Sequence, residues 1–193
     1  MPLDDTAEQR TVSDDRIRQH SDELVAVLID LGVTIAVAES LTGGAVCAAL
    51  TGVAGASACF RGGIVSYATD LKATLVGVDP ALLRAHGPVD PRVAWQMARG
   101  VATRCEATIG ASTTGVAGPS SQGGVPVGTV FISVHDNRDG TDHGRALCLA
   151  GSRWAIRTQT VLEVLNLATW VATRDVGASV SGGFGNEPPP AQR

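Results

Sequence analysis

The run Val33 to Ala38, passing without a spacer into Glu39-Ser40-Leu41-Thr42-Gly43-Gly44, constrains this chain more than any other stretch. A short apolar segment rich in β-branched residues reads as a buried strand, and the Ala-rich residues after Gly44 read as a helix. A strand that turns directly into a helix opens a βα unit, which calls for a parallel partner strand further along. Ser40 or Thr42 can cap that helix. The two glycines let backbone N–H groups come close to a ligand, so the turn suits negative charge.

The other segments fit the same plan. Residues 1–12 carry charge without apolar period and are expected to be disordered. Ser13-Asp14-Asp15 opens a helix with Ile17, Leu24, Val25, Leu28 and Leu31 at helical spacing, closed by Gly32. A helix is expected from Thr42 to Leu50. Ala58 to Tyr67 reads as a second strand, with Gly62-Gly63 marking a bulge or a close backbone approach. A helical turn around Lys72 follows, then short helices opened by Asp79-Pro80 and Asp90-Pro91. Ala107 to Thr113 reads as a third strand, feeding the loop from Thr114 to Gly124. Strands over 127–135 and 145–150 are joined by a polar turn, and Ser152 caps a last helix from Arg153 to about Thr173. Beyond Asp175 the chain is Gly, Ser and Pro, and is expected to be a disordered tail, leaving one domain over 13–174.

Right-handed crossovers bring strands one, two and three to a common edge of the sheet. The fourth strand runs back antiparallel and the fifth returns. The expected fold is α/β, a mostly parallel five-stranded sheet with one antiparallel strand. Ser40, Tyr67, Lys72, the Thr114–Gly118 loop and Arg153 then border one crevice beyond the carboxyl ends of the strands, where open α/β sheets bind ligands.

Composition narrows the function. A net charge of −4 and a pI near 5.5 argue against a nucleic-acid surface. Cys47, Cys59, Cys105 and Cys148 show no C-x-x-C and no metal-ligand spacing, so a reducing compartment and no bound metal are expected. The N-terminal stretch lacks the apolar core of a signal peptide, and no apolar run approaches the length of a membrane span. A cytoplasmic protein without membrane partners is the default. A homo-oligomer is left open by apolar helix faces.

A serine on a strand-to-helix turn is a reasonable nucleophile, given a base. His20, His86, His135 and His143 fall in helices, helix ends or turns placed away from the crevice. Lys72, the only lysine in the chain, is the remaining candidate, because burial drives an amine toward its neutral form. Tyr67 can orient it or relay the proton. Plainer readings stand beside each: Ser40 and Thr42 as helix caps, Glu39 as an acid at a helix start, Tyr67 as packing, Lys72 as a solvated charge, Gly115 and Gly118 as turn formers, Arg153 and Arg157 as an exposed helix face.

Taken together, several blocks in order resemble a known family, the C-terminal domain of the competence/damage-inducible protein CinA, which also exists as a stand-alone nicotinamide-nucleotide amidohydrolase. The blocks are Ala38 to Gly44, Phe60 to Tyr67 with Lys72, Gly77-Val78, Ala85 to Val89, and Thr114 to Pro119 followed by Pro126 to Val130. The resemblance implies a three-layer α/β/α sandwich. It also implies hydrolysis of the carboxamide of nicotinamide mononucleotide, without metal or cofactor. By that resemblance Ser40, Lys72 and Tyr67 are catalytic. The substrate-binding candidates are Glu39, Thr42, Gly43, Gly44, Thr114, Gly115, Ala117, Gly118 and Arg153. The chain departs from the family pattern at Thr69, Asp90 and Val125, where Asn, Ser and Lys are common. The other readings are a nucleotide-binding domain without catalysis, and an amidase of another small carboxamide.

Overall fold

A computed structural model describes residues 6–175. In chain order it contains α1 (Ala7–Leu31), β1 (Ile35–Glu39), α2 (Ala45–Thr51), a single 3-10 turn (Ala56–Ala58), β2 (Phe60–Val65) and α3 (Thr69–Val76). There follow α4 (Pro80–His86), α5 (Pro91–Arg104), β3 (Ile109–Gly115), β4 (Thr129–Asp136), β5 (Thr141–Cys148) and α6 (Arg153–Thr173). The strands form one sheet in the order β2-β1-β3-β4-β5. β1 pairs in parallel with β2 and β3, while β4 is antiparallel to both β3 and β5. The expected α/β sheet with one reversed strand is therefore present.

Alternation along β1 sets the two cores. Ile35 and Val37 enter the larger one, with Leu24, Leu28 and Leu50 of α1 and α2 and Ile156 and Leu165 of α6. Ala36 and Ala38 enter the other, with Val76 of α3, Leu83 of α4 and Val93, Met97 and Val101 of α5. Every residue of β1 is buried, as a central strand covered on both faces requires. α5 lies so close that a β-carbon at Gly110 would fall 2.1 Å from Ala98 O, and one at Gly100 1.7 Å from Val76 O. At the sheet edge, the pairing of Ile35 with Phe60 and Ala36 with Gly62 leaves Arg61 as a bulged residue. One residue on, a β-carbon at Gly63 would sit 2.1 Å from Cys47 Sγ of α2.

Several boundaries differ from expectation. α1 begins at Ala7 rather than Ser13, because Thr6 and Gln9 form a reciprocal capping box: Gln9 N donates to Thr6 Oγ1 at 3.2 Å and Thr6 N to Gln9 Oε1 at 3.0 Å. Residues 7–12 are thus helical and not loose, while 1–5 and the expected tail beyond Asp175 lie outside the described residues. β5 starts at Thr141 instead of Arg145, since Asp139 closes a short turn by accepting from Thr141 N and Oγ1. No described helix is long and apolar enough to cross a membrane.

Candidate active site

Glu39, the last residue of β1, shares the face of Ile35 and Val37 and so points beneath α2. It is fully buried. Its carboxylate accepts from Gly44 N at 2.9 Å, Val46 N at 3.2 Å and Cys47 N at 2.8 Å. These amides head α2, so the helix's partial positive end is satisfied by the chain's own acid. Neither Ser40 nor Thr42 caps α2; its N-cap is Gly44, in a left-handed conformation, and Glu39 supplies the acceptor from outside the usual capping position. The expectation that hydroxyls cap this helix was wrong. Serine and threonine outrank glutamate in local propensity, but the pleat of β1 delivers Glu39 to the spot.

The turn itself is braced from three sides. Ser40 N donates to Thr113 O of β3 at 3.0 Å, and Gly43 N to Ser40 O at 3.1 Å. Thr42 Oγ1 lies 2.8 Å from Thr113 Oγ1. From α6, Arg157 donates through Nε to Leu41 O at 3.0 Å and through Nη2 to Thr42 O at 2.6 Å. The Gly43 and Gly44 amides, expected to face a ligand, are both engaged within the turn. Glu39 and Thr42 are completely buried. These four residues frame the site and do not line it.

Ser40 and Leu41 border a cavity of about 110 Å³ beyond the carboxyl ends of β1 and β3. This is the switch point of the sheet, because β2 and β3 flank β1 on opposite sides. Lys72, Tyr67, Thr114, Gly115, Ala117, Gly118 and Arg153 line the same cavity, as the sequence led us to expect, joined by Pro88, Val89 and Gln122. Thr114 Oγ1 donates to Pro88 O at 2.7 Å and ties the third strand's end to the α4–α5 connection.

Lys72 is the unusual member. It sits on α3 and is only 1% exposed. Its amine donates to Ser66 O at 2.7 Å, and no carboxylate is paired with it among the described residues. Burial alone therefore lowers its pKa to about 8. Tyr67 is 58% exposed, and its hydroxyl receives a hydrogen bond from Arg153 Nη2 at 2.7 Å rather than one from Lys72. Arg153 Nη1 also reaches Gly118 O at 2.5 Å, so the tyrosine and arginine bridge the cavity mouth.

Sequence reasoning missed Arg157, Thr113 and Pro88. Arg157 had a usable signal: it stands one helical turn after Arg153, on the same face of α6. The histidines are absent from the cavity lining, and His135 lies at the far end of the sheet, paired with Gly110 near the start of β3. Cys47 is a packing residue whose thiol burial, then the Glu39 charge, push upward in pKa. No cluster able to hold a metal occurs among the described residues.

An open α/β domain with a hydroxyl and a charge-poor buried amine at its switch point defines the class. The particular family follows from comparison: residues 17–171 match the model of the CinA C-terminal domain, and the chain belongs to that family. A CinA-like protein of Frankia casuarinae is 51% identical over 144 residues, which are 75% of this chain and 33% of that protein. A putative competence-damage inducible protein of Halalkalibacterium halodurans is 44% identical over 140 residues, 72% of this chain and 33% of its own length. The chain thus spans about a third of the curated relatives it matches. The crystal structure of competence/damage inducible protein CihA from Agrobacterium tumefaciens superposes with a TM-score of 0.78 at 31% identity, covering 82% of this chain and 96% of that one.

Proposed function

We propose that this domain is a cytoplasmic amidohydrolase that converts nicotinamide mononucleotide to nicotinate mononucleotide and ammonia. The observation that carries the reading is Lys72, buried without a counter-charge and sharing a small cavity with Ser40. With a pKa of about 8 the amine is unprotonated in roughly one molecule in ten at neutral pH, against fewer than one in a thousand for an ordinary lysine.

In the proposed reaction Ser40 Oγ attacks the carboxamide carbon as its proton passes to Lys72. The tetrahedral intermediate collapses, the C–N bond breaks, and Lys72 returns the proton to the departing ammonia. Water then enters by the same route in reverse and hydrolyses the nicotinoyl ester. Tyr67 acts through Arg153, keeping the guanidinium at the mouth.

Charge and size favour this substrate. Among the described residues the cavity lining carries no acidic side chain, and Arg153 at its mouth suits an anionic group, while Lys72 is left for proton transfer. At about 110 Å³ the cavity is smaller than a typical whole-ligand pocket of roughly 300–1,000 Å³. It accommodates the pyridine carboxamide and leaves ribose and phosphate at the rim, beside Arg153. The four cysteines are free thiols, in keeping with a reducing compartment.

The test is ammonia release from nicotinamide mononucleotide by the purified chain, with nicotinamide as control. Turnover that disappears in Ser40→Ala supports the assignment. Full activity in Ser40→Ala ends the nucleophile role, and a thermal-shift response to the nucleotide without turnover by the native chain ends the enzymatic one.

A further inference from the structure

A serine hydrolase must also stabilise the oxyanion that forms as the carbonyl is attacked, and the head of a following helix is the obvious place to look. Here that place is taken. Glu39 accepts from Gly44, Val46 and Cys47, while Gly43 N serves Ser40 O and Ala45 N serves Thr42 O at 3.3 Å. Among the described residues of this turn, the amides of Leu41 and Thr42 have no acceptor. Of these two residues Leu41 lines the cavity.

The orientation of the Leu41 amide is fixed by its own peptide group. A trans peptide sets N–H and C=O in opposite directions. Because Ser40 O accepts from Gly43 N inside the turn, the Leu41 N–H of the same peptide points away from the turn's interior. Arg157 holds the next two carbonyls, Leu41 O and Thr42 O, and so prevents these peptides from rotating. Leaving a buried amide without a partner is costly, and Leu41 is only 4% exposed.

We propose that the Leu41 backbone N–H is the oxyanion donor of this site, with Glu39 and Arg157 as positioning residues that commit the neighbouring amides and carbonyls elsewhere. This rests on the serine-nucleophile reading above. The donor meets charge only as the tetrahedral state forms, so its removal lowers kcat and leaves ground-state binding in place.

The direct experiment replaces Leu41 by its α-hydroxy acid through nonsense suppression, turning the Ser40–Leu41 amide into an ester and deleting one N–H. Loss of one such donor is expected to reduce kcat by roughly 10²–10³-fold with KM changed less than about threefold. The same replacement at Ala45, whose N–H serves only Thr42 O, is the control and keeps kcat within about threefold.

Pyridine-3-boronic acid supplies a readout independent of turnover. Ser40 Oγ bonds to its trigonal boron as the serine proton moves to Lys72, giving a tetrahedral anion with an oxygen where the oxyanion would form. The Leu41 ester should weaken this adduct at least tenfold, while affinity for the uncharged carboxamide of nicotinamide mononucleotide, measured in the Ser40→Ala background, changes less than about threefold. If the ester does not fold, Arg157→Lys takes its place. That variant should lose kcat and boronate affinity in the same proportion, again with nearly unchanged affinity for nicotinamide mononucleotide in the Ser40→Ala background. Undiminished kcat or boronate binding in a folded ester, or in folded Arg157→Lys, overturns the proposal. Absence of ammonia from the unaltered chain counts against the amidohydrolase reading instead, and the boronate comparison still decides the role of Leu41.

Discussion

The two ends of the sheet bury charge in opposite ways. At the far end, Asp136 is fully buried and surrounded: Arg138 reaches it through Nε at 3.0 Å and Nη2 at 2.7 Å, and Arg174 through Nη2 at 2.8 Å. Nearby, His135 Nδ1 lies 2.8 Å from Asp142 Oδ1, and Arg99 pairs with the same carboxylate. At the cavity end, Lys72 is as deeply buried and has a single carbonyl. Paired burial holds the strand ends and α6 together; unpaired burial changes what an amine can do. The difference lies in counter-charge, since depth is equal.

The comparison breaks most sharply under substitution at the cavity. Ser40→Ala and Lys72→Met should each lower kcat by about 10³-fold or more, read by ammonia release. Lys72→Met should also raise stability near neutral pH. A shift from 10.5 to about 8 corresponds to on the order of 3 kcal/mol of burial penalty, partly offset by the lost Lys72–Ser66 bond. The sign is fixed by linkage. Between pH 8 and 10.5 the unfolded chain binds the extra proton, so the native protein gains stability as pH rises there, and the methionine variant loses that dependence. Calorimetry at pH 7 and pH 10 measures it.

At the other end, Asp136→Asn should leave kcat intact and cost about 1–3 kcal/mol in denaturant unfolding, since Arg138 loses its carboxylate while Arg174 keeps Asp139. Burial opposes the Asp136 charge, but Arg138 and then Arg174 outweigh it, holding its carboxyl below the usual range. The stability it contributes is therefore present above pH 4 and is lost as pH falls further; Asp136→Asn should flatten that acid limb.

A milder probe is pH itself. kcat/KM should fall tenfold per unit below about 8 and level off above it, as Lys72 deprotonates. A profile flat from pH 6 to 9 would remove Lys72 as the base. The smallest effect is expected from Tyr67→Phe, which deletes one hydrogen bond to Arg153 and should raise KM by an amount worth roughly 0.5–1.5 kcal/mol.

Much of this was legible in the sequence, for identifiable reasons. Apolar period and turn residues located the strands and most helix ends to within a few positions, although α1 begins six residues and β5 four residues before the expected starts, and strand order brought Ser40, Lys72, the Thr114–Gly118 loop and Arg153 to one cavity. Hydrogen-bond partners were not legible. Glu39 read as a helix-start acid or, by resemblance, as a substrate-binding residue, and only the pleat of β1 shows that it grips α2 from below. Arg157 read as surface, although a contact 116 residues back along the chain makes it a brace. Both act across the fold, beyond the reach of local pattern. The start of α1 was a different kind of miss, since Thr6 and Gln9 spell a capping box that charge and polarity had obscured.

The approach of Gly63 to Cys47 carries a consequence for inherited change. An alanine at this outer strand would have to evict the Cys47 thiol from its present place, so the first thing a change on the rim disturbs is a side chain of α2 beside the amide that Glu39 holds. Gly100 and Gly110 are stricter still, because a side chain there would meet backbone oxygen, which cannot turn aside as a thiol can.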